Sequence, residues 1–211
     1  MNFNKIKNIF WLLKKRNSIK NWKKRNFSPP SPEFIKEQIL INNNLNNSLW
    51  IETGTYYGKT TKVLASISKK VFTIEADKRL YDLAVKKFKD TNNVEVLNGK
   101  SEELLESILQ SNSDFKNICI YLDAHLCQDH LTNKSTFGKI ENETPIKLEL
   151  KFIENNIKNF NQINLLIDDI RLFVSGFQNY PDKNYLTDWC KKNNFKWDMQ
   201  QDIFIAKYLK D

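Results

Sequence analysis

Cysteine is scarce in this chain: Cys119, Cys127 and Cys190 make an odd number, with no CxxC pair among them. That spacing argues against both a disulfide framework and a cysteine-based zinc cluster. A chain of 211 residues can bury enough core to need neither. A reducing cytoplasm is the compartment such usage fits. Long apolar runs are missing as well. Ile9–Leu13 is too short for a signal peptide and is followed by Lys14, Lys15 and Arg16 rather than a small-residue cleavage site. For the same reason no transmembrane span is expected. Acids are absent from the first thirty residues, which hold nine Lys/Arg, while the remaining 24 bases face 25 acids. The formal net charge of +8 therefore belongs to the leader, and the rest of the chain is close to neutral. Arginine is rare too, at four of the 33 basic residues. A Lys/Asn-rich usage of this kind is also what an AT-rich coding sequence would write.

Within the leader, Ile6, Ile9, Phe10 and Leu13 fall at i, i+3, i+4 and i+7, one face of a helix, with lysines filling much of the remainder. A basic amphipathic helix over residues 1–27 fits an anionic membrane surface. It fits equally a second copy of the chain in a homodimer, or its own domain. The shortage of arginine and of interleaved aromatics argues against RNA, so no specific nucleic-acid partner is expected. SPPSP at 28–32 ends the helix. Residues 1–28 thus read as a leader, and 29–48 as a lead-in helix (about Pro32–Leu40) with an Asn-rich turn. Residues 49–211 read as the main domain.

From Leu49 onward the chain alternates. Strands are predicted at Leu49–Glu52, Val71–Glu75, Val94–Asn98, Ile118–Asp123 and Asn164–Asp168, with helices at Lys59–Ser68, Leu80–Phe88, Ser101–Leu109 and Pro145–Asn156 between them. Short apolar strands alternating with helices predict an α/β domain whose doubly wound sheet is mostly parallel. The end differs. After a helix at Lys183–Asn193, the strands Phe195–Met199 and Ile203–Tyr208 are joined by Gln200–Asp202, a C-terminal antiparallel hairpin. Trp189 and Trp197 are expected in the core, and Glu149 is expected in solvent or a salt bridge. Thr144 and Pro145 are expected as N-cap and first residue of their helix.

The first strand runs into ETGTYYGKTT at 52–61, where Gly54 can make a tight turn and Gly58 can open a helix. A dinucleotide fingerprint would need G-x-G-x-x-G, and Tyr56 stands in the middle glycine's place. The glycine spacing and the hairpin both disagree with a nicotinamide oxidoreductase. Glu75 closes the second strand 21 residues after Gly54, where a carboxylate can accept both hydroxyls of a ribose. This order of features resembles class I S-adenosylmethionine-dependent methyltransferases. The resemblance covers roughly residues 49–211 and implies a Rossmann-like fold. It implies S-adenosylmethionine held by Glu52, Gly54, Thr55, Tyr56, Gly58, Glu75, Asn98, Gly99, Ser101 and Asp123. ETGTYYGKTT, LDAH, ETPIKLEL and LLIDDIRLF look more narrowly like the small bacterial macrocin-type and FkbM-type O-methyltransferases. A sugar, a glycan precursor or another small hydroxylated molecule is then the expected acceptor. A nucleic-acid or protein methyltransferase is the alternative within enzymes, but LDAH stands after strand four where an NPPY-like or DPPY-like segment would serve methylation of base amino groups. A membrane-surface module with a vestigial cofactor pocket is the alternative from another class, and the retained Glu52, Gly54, Gly58 and Glu75 count against it.

Asp123 closes strand four, and Asp168 and Asp169 close strand five. Three carboxylates at one sheet edge suit an oxygen-ligated Mg²⁺, and the resemblance to metal-dependent O-methyltransferases implies the same ligand set. His125, two residues past Asp123, has the ordinary pKa of a neutral-pH base, near ~6.5. Asp123 and His125 are accordingly the expected catalytic residues. His130 lies in the long polar segment Leu126–Glu143, which reads as a substrate lid with Thr136–Gly138 near its tip.

Overall fold

The computed structural model describes residues 3–123, 144–175 and 180–210, with side chains from residue 12 onward. The leader forms α1 (Phe3–Lys24) and the lead-in α2 (Glu33–Asn42). Then come β1 (Leu49–Thr53), α3 (Lys59–Ile67), β2 (Lys70–Glu75), α4 (Lys78–Phe88), β3 (Val94–Asn98) and α5 (Ser101–Ser111). β4 (Asn117–Leu122), α6 (Ile146–Asn156), β5 (Gln162–Ile167), α7 (Lys183–Lys192), β6 (Lys196–Gln200) and β7 (Ile203–Leu209) complete the order. The seven strands form one sheet in the order β3-β2-β1-β4-β5-β7-β6. The first five are parallel, and β7 is antiparallel to both β5 and β6. This is the expected Rossmann-like, doubly wound α/β fold with a C-terminal antiparallel hairpin.

Strand periodicity sorts the core onto two faces. Leu49, Ile51, Ile118, Ile120, Leu122, Ile163, Leu165 and Ile167 pack on the side of α5, α6 and α7. Trp50, Cys119, Tyr121 and Leu166 point the other way, toward Ile39 and Leu40 of α2 and Leu64 of α3. Because helices cover both faces, β1 is buried at all five positions and reads in sequence as an unbroken run rather than an alternation. Sheet order makes β1 and β4 the central pair. β2 and β3 wind out from β1, and β5 from β4, so the crevice at their carboxyl ends is the switch point where open α/β sheets bind ligands.

Local signals fix the helix ends. Asp77 caps α4 by accepting from Arg79 N and Leu80 N, and Asp182 caps α7 by accepting from Tyr185 N. Pro145, not Thr144, is the N-cap of α6, one residue later than expected. Trp189 is buried as expected, at 7% exposure. Trp197 corrects the expectation: it is 47% exposed and stacks on Phe204, because β6 is an edge strand whose residues are all exposed. Near the end of the leader, Trp22 is buried. Its indole N–H donates to Ser28 O (3.0 Å), and Phe27 packs edge-on against its ring. No helix among the described residues is long and apolar enough to cross a membrane.

Replacing Asp77 by Ala removes both N-cap bonds of α4 and should cost about 1 kcal/mol. In a chain of this size that lowers the melting temperature by roughly 2–4 °C. A melt of Asp77→Ala unchanged from wild type would show that α4 is held by packing alone.

Candidate functional site

β1 leads into Gly54, whose φ of 88° belongs to the left-handed region that favours glycine. Gly54 N and Thr55 N both donate to Ile74 O (3.0 and 3.2 Å), which pins the turn to β2. Tyr56 also takes a positive φ, and its N–H donates to Glu75 Oε2 at 2.7 Å. Asp77 N donates to Glu75 Oε1 at 2.9 Å. Glu75 is thus held at the end of β2 by two backbone amides, with lone pairs left on each oxygen. Burial raises its pKa, and these same bonds oppose the rise. Asn98 Nδ2 and Gly99 N donate to Glu75 O (2.9 and 3.1 Å), which ties the end of β3 to the same corner.

Glu52 is fully buried beneath the turn. Its Oε2 accepts from Thr61 Oγ1 (2.5 Å) and Thr73 Oγ1 (2.6 Å). Thr55 and Thr73 hydroxyls lie 2.6 Å apart. With Thr73's single hydrogen committed to Glu52, Thr55 is the donor of that pair. Burial pushes the Glu52 carboxyl up to about 7, against the pull of its two threonines. Its Oε1 has no partner among the described residues. Glu52 therefore joins β1, β2 and α3. Gly58 caps α3 in the left-handed conformation, and a Cβ there would lie 2.6 Å from the Phe88 ring. In this geometry its need for glycine comes from α3–α4 packing.

The second half of the site lies at the ends of β4 and β5. Asp123 N donates to Thr53 O (3.1 Å) and Asp168 N to Leu122 O (3.0 Å), so the strand ends stay in register. Tyr121 OH donates to Asp168 Oδ2, which also accepts from Lys36 Nζ at 2.6 Å. Asp168 Oδ1 accepts from Asp169 N at 2.8 Å. Lys36 Nζ lies 3.7 Å from Asp169 Oδ1. Burial alone would lower the Lys36 pKa, but the charges of Asp168, Asp123 and Asp169 outweigh it and raise the pKa above the ordinary lysine value. Withdrawal from water, reinforced by Asp168 and Asp169, pushes the Asp123 carboxyl well above the usual aspartate range. Arg171 Nη1 donates to Asp169 Oδ1 (2.5 Å) and to Asp202 Oδ2, while Arg171 N donates to Asp202 Oδ1 (3.0 Å).

The expected metal trio does not form one ligand sphere. The described carboxylates whose oxygens all lie within 4.8 Å of one another are Asp168, Asp169 and Asp202, without Asp123. Those three already accept from Lys36, Tyr121 and Arg171, so the geometry does not fit a Mg²⁺ ligated by Asp123, Asp168 and Asp169. The cofactor set fits better. A left-handed glycine turn and a carboxylate held by two amides at the end of β2 meet at one crevice, and Ser101 is buried at the start of α5. His125, His130 and the segment Leu126–Glu143 lie outside the described residues.

Glu149 corrects the expectation of a solvent position. It is 1% exposed and lines a small cavity with Asp123, Asp168, Thr144, Phe173 and Tyr180. Burial pushes its carboxyl up to about 7, with the hydroxyls of Ser101 and Thr53 pulling it back. The signal was present in ETPIKLEL. Ile146, Leu150 and Ile153 mark the buried face of α6, and position 149, at i+3 from Ile146, falls on it. Lys36, Tyr121, Arg171 and Asp202 were also missed.

No family model matches the chain, and no curated protein does. Solved structures do match. An assigned caffeoyl-CoA O-methyltransferase from Staphylococcus aureus is 19% identical with a TM-score of 0.52, covering 99% of this chain and 100% of that one. N-methyltransferase NodS from Bradyrhizobium japonicum WM9 is 15% identical at TM-score 0.53, covering 84% and 96%. Precorrin-6y C5,15-methyltransferase from Geobacter metallireducens GS-15 is 9% identical at TM-score 0.52, covering 83% and 87%. At these identities the likeness is one of fold, and the fold is that of methyltransferases with different named acceptors.

A carboxyl raised from 4.5 to about 7 binds its proton more tightly in the native state. Its stabilising effect is complete below pH 4.5 and is lost as pH climbs through 7, by about 3 kcal/mol in all. Glu149→Gln keeps the shape but cannot ionise, so its stability should fall less than wild type between pH 5 and pH 8. Urea titrations at the two pH values measure this, and equal slopes for both proteins would refute it.

Proposed function

We propose that the chain is an S-adenosylmethionine-dependent methyltransferase acting on a hydroxyl of a sugar, a glycan precursor or another small molecule. The observation that carries the first part is the pairing of this sheet order with the Gly54 turn and the amide-held Glu75 at its switch point. The oxygen-directed part rests on the resemblance of ETGTYYGKTT, LDAH, ETPIKLEL and LLIDDIRLF to macrocin-type and FkbM-type enzymes. When bound, S-adenosylmethionine supplies a methyl group on a sulfonium sulfur. Gly54, Thr55 and Tyr56 form the turn it would approach, Glu75 would accept from its ribose, and Asn98, Gly99 and Ser101 border its adenine side. Gly58 and Glu52 hold the turn from below.

The remaining task of this chain is to align the acceptor hydroxyl and take its proton. Alignment contributes up to roughly 7–11 kcal/mol in favourable intramolecular cases, and a general base about 10²–10⁴-fold. Asp123 sits at the end of β4, and its raised pKa makes it a stronger base than an ordinary aspartate. His125, two residues on, is the second proposed proton acceptor. Glu149 lines the cavity next to Asp123 and can take a hydrogen bond from an acceptor hydroxyl.

S-adenosylmethionine or its demethylated product should raise the melting temperature, and NAD should not. Native-state binding stabilises by about 2.7 kcal/mol at a hundredfold excess over Kd. Gly54→Val, which puts a β-branched side chain at φ 88°, should remove the shift. A larger response to NAD would overturn the cofactor assignment, and methyl transfer to RNA but to no hydroxylated small molecule would overturn the acceptor class.

The leader supports a second proposal, contact of residues 1–27 with an anionic membrane. Leu12, Leu13 and Ile19 are exposed at 57%, 49% and 44% amid the lysines, and apolar burial adds to lysine attraction at such a surface. Full-length protein should pellet with phosphatidylserine vesicles at low salt, whereas a chain beginning at Ser28 should stay in the supernatant. Equal sedimentation of the two would end this reading, and a dimer mass lost on truncation would assign the leader to a second copy.

A further inference from the structure

The carboxylates at the ends of β4 and β5 carry a cation supplied from the far end of the chain. Lys36 lies on α2, three and four residues before the buried Ile39 and Leu40, so it shares their helix face and is turned toward the sheet. That face packs with Tyr121 and Cys119 of β4 in one apolar cluster. The Lys36 stem is thus carried along the strand toward its polar end. There Nζ meets Asp168 Oδ2 at 2.6 Å and Asp169 Oδ1 at 3.7 Å. The Lys36 side chain is 23% exposed and that of Asp168 is 2% exposed, so the pair is largely shielded from solvent. Asp168 also accepts from Tyr121 OH on the same oxygen and from Asp169 N on the other. Arg171 binds Asp169 Oδ1, the oxygen that also faces Lys36, and Asp202 Oδ2. Among the described residues, two cations and one phenol thus answer the cluster of Asp168, Asp169 and Asp202, with Asp123 beside it.

We propose that Lys36 is the resident cation of this site, standing where a divalent metal would otherwise bind, so that the protein works without one. This rests on the methyltransferase reading for its catalytic meaning, but the assignment of the cation does not. Three neighbouring carboxylates repel one another unless a counter-charge holds them. An ammonium on a packed helix does this without a dissociation equilibrium. Lys36 is a positioning residue: it acts by holding Asp168 and Asp169 in place behind Asp123. Its presence also opposes the competing cation, since an inner-sphere metal on Asp168 Oδ2 would have to displace Lys36 or Tyr121 and would stand against the Lys36 charge.

The test is Mn²⁺ binding by the full-length protein, read as a melting shift and by isothermal titration, with S-adenosylhomocysteine tested alongside. Wild type should show no shift with ~1 mM Mn²⁺. Lys36→Ala should gain one of about 5 °C, the size expected for a ligand near a hundredfold excess over Kd in a chain of this length. Lys36→Arg, which keeps the charge, should not gain it. A merely structural lysine would leave all three indifferent to Mn²⁺. If Lys36→Ala does not fold, Lys36→Met keeps the packed stem and takes its place. Mn²⁺ stabilisation of wild type that is lost in Asp168→Asn overturns the proposal. A folded Lys36→Ala or Lys36→Met that gains nothing from Mn²⁺ also overturns it. A missing shift with S-adenosylhomocysteine would instead count against the methyltransferase reading and leave the cation assignment to the Mn²⁺ result.

Discussion

A parallel sheet with helices on both faces has apolar sides, and its polar side chains are driven to the strand ends. Here the constraint is severe, because β1 is buried along its whole length and β2, β4 and β5 at all but their first position. The carboxyl edge consequently collects Glu52, Glu75, Asp123, Asp168 and Asp169. Close neighbours of one sign, withdrawn from water, are costly unless each finds a donor or a counter-charge. How those costs are met accounts for most of the local structure around the crevice.

The two halves of the edge meet them differently. On the β1–β2 side the donors are neutral: two threonine hydroxyls for Glu52 and two backbone amides for Glu75. Neutral donors only partly offset burial, and the Glu52 carboxyl stands near 7. On the β4–β5 side charged donors join the neutral ones, Lys36 for Asp168 and Arg171 for Asp169 and Asp202. Charge-assisted bonds are roughly twice as strong as neutral ones, which suits the half where carboxylates stand on adjacent residues. The backbone follows the same demand. Asp169 takes a left-handed φ of 54°, a conformation a non-glycine residue adopts at some cost, and there its side chain reaches Arg171 while its N–H reaches Asp168.

The sequence announces the sheet well and the charge pairing poorly, for one physical reason. Strand identity is local: LWIET, KVFTIE and QINLLI are short apolar runs closed by polar residues, and Gln200–Asp202 between two short strands reads as a hairpin turn. Even Glu149 was legible, since it falls on the apolar face of its own helix. Lys36 and Asp168 are 132 positions apart, and no local pattern in FIKEQILIN says which strand end its helix will cover. Trp197 failed in the opposite sense, because its aromatic character suggests a core while its strand happens to lie at the sheet's edge. Gly58 opens α3 as its sequence position suggests, and the Phe88 ring of the next helix, 2.6 Å from where a Cβ would stand, is a contact that no local pattern announces.

The lead-in helix therefore cannot be separated from the domain it precedes. Read by sequence, residues 29–48 are a lead-in helix and an Asn-rich turn between a basic leader and a methyltransferase-like fold. By contact they belong to the site: Ile39 and Leu40 fill one face of the sheet, Asn43 O accepts from Asn164 Nδ2 of β5 (2.7 Å), and Lys36 reaches the carboxylates of the β5 end. The hydrogen bond and the ion pair anchor α2 against the same strand, one near its start and one at its carboxyl end. A displacement of α2 would expose Ile39 and Leu40 to water and at the same time leave Asp168 without its cation. The packing and the charge are coupled through one rigid helix, so the position of the Asp168–Asp169 pair is set by how α2 seats on the sheet.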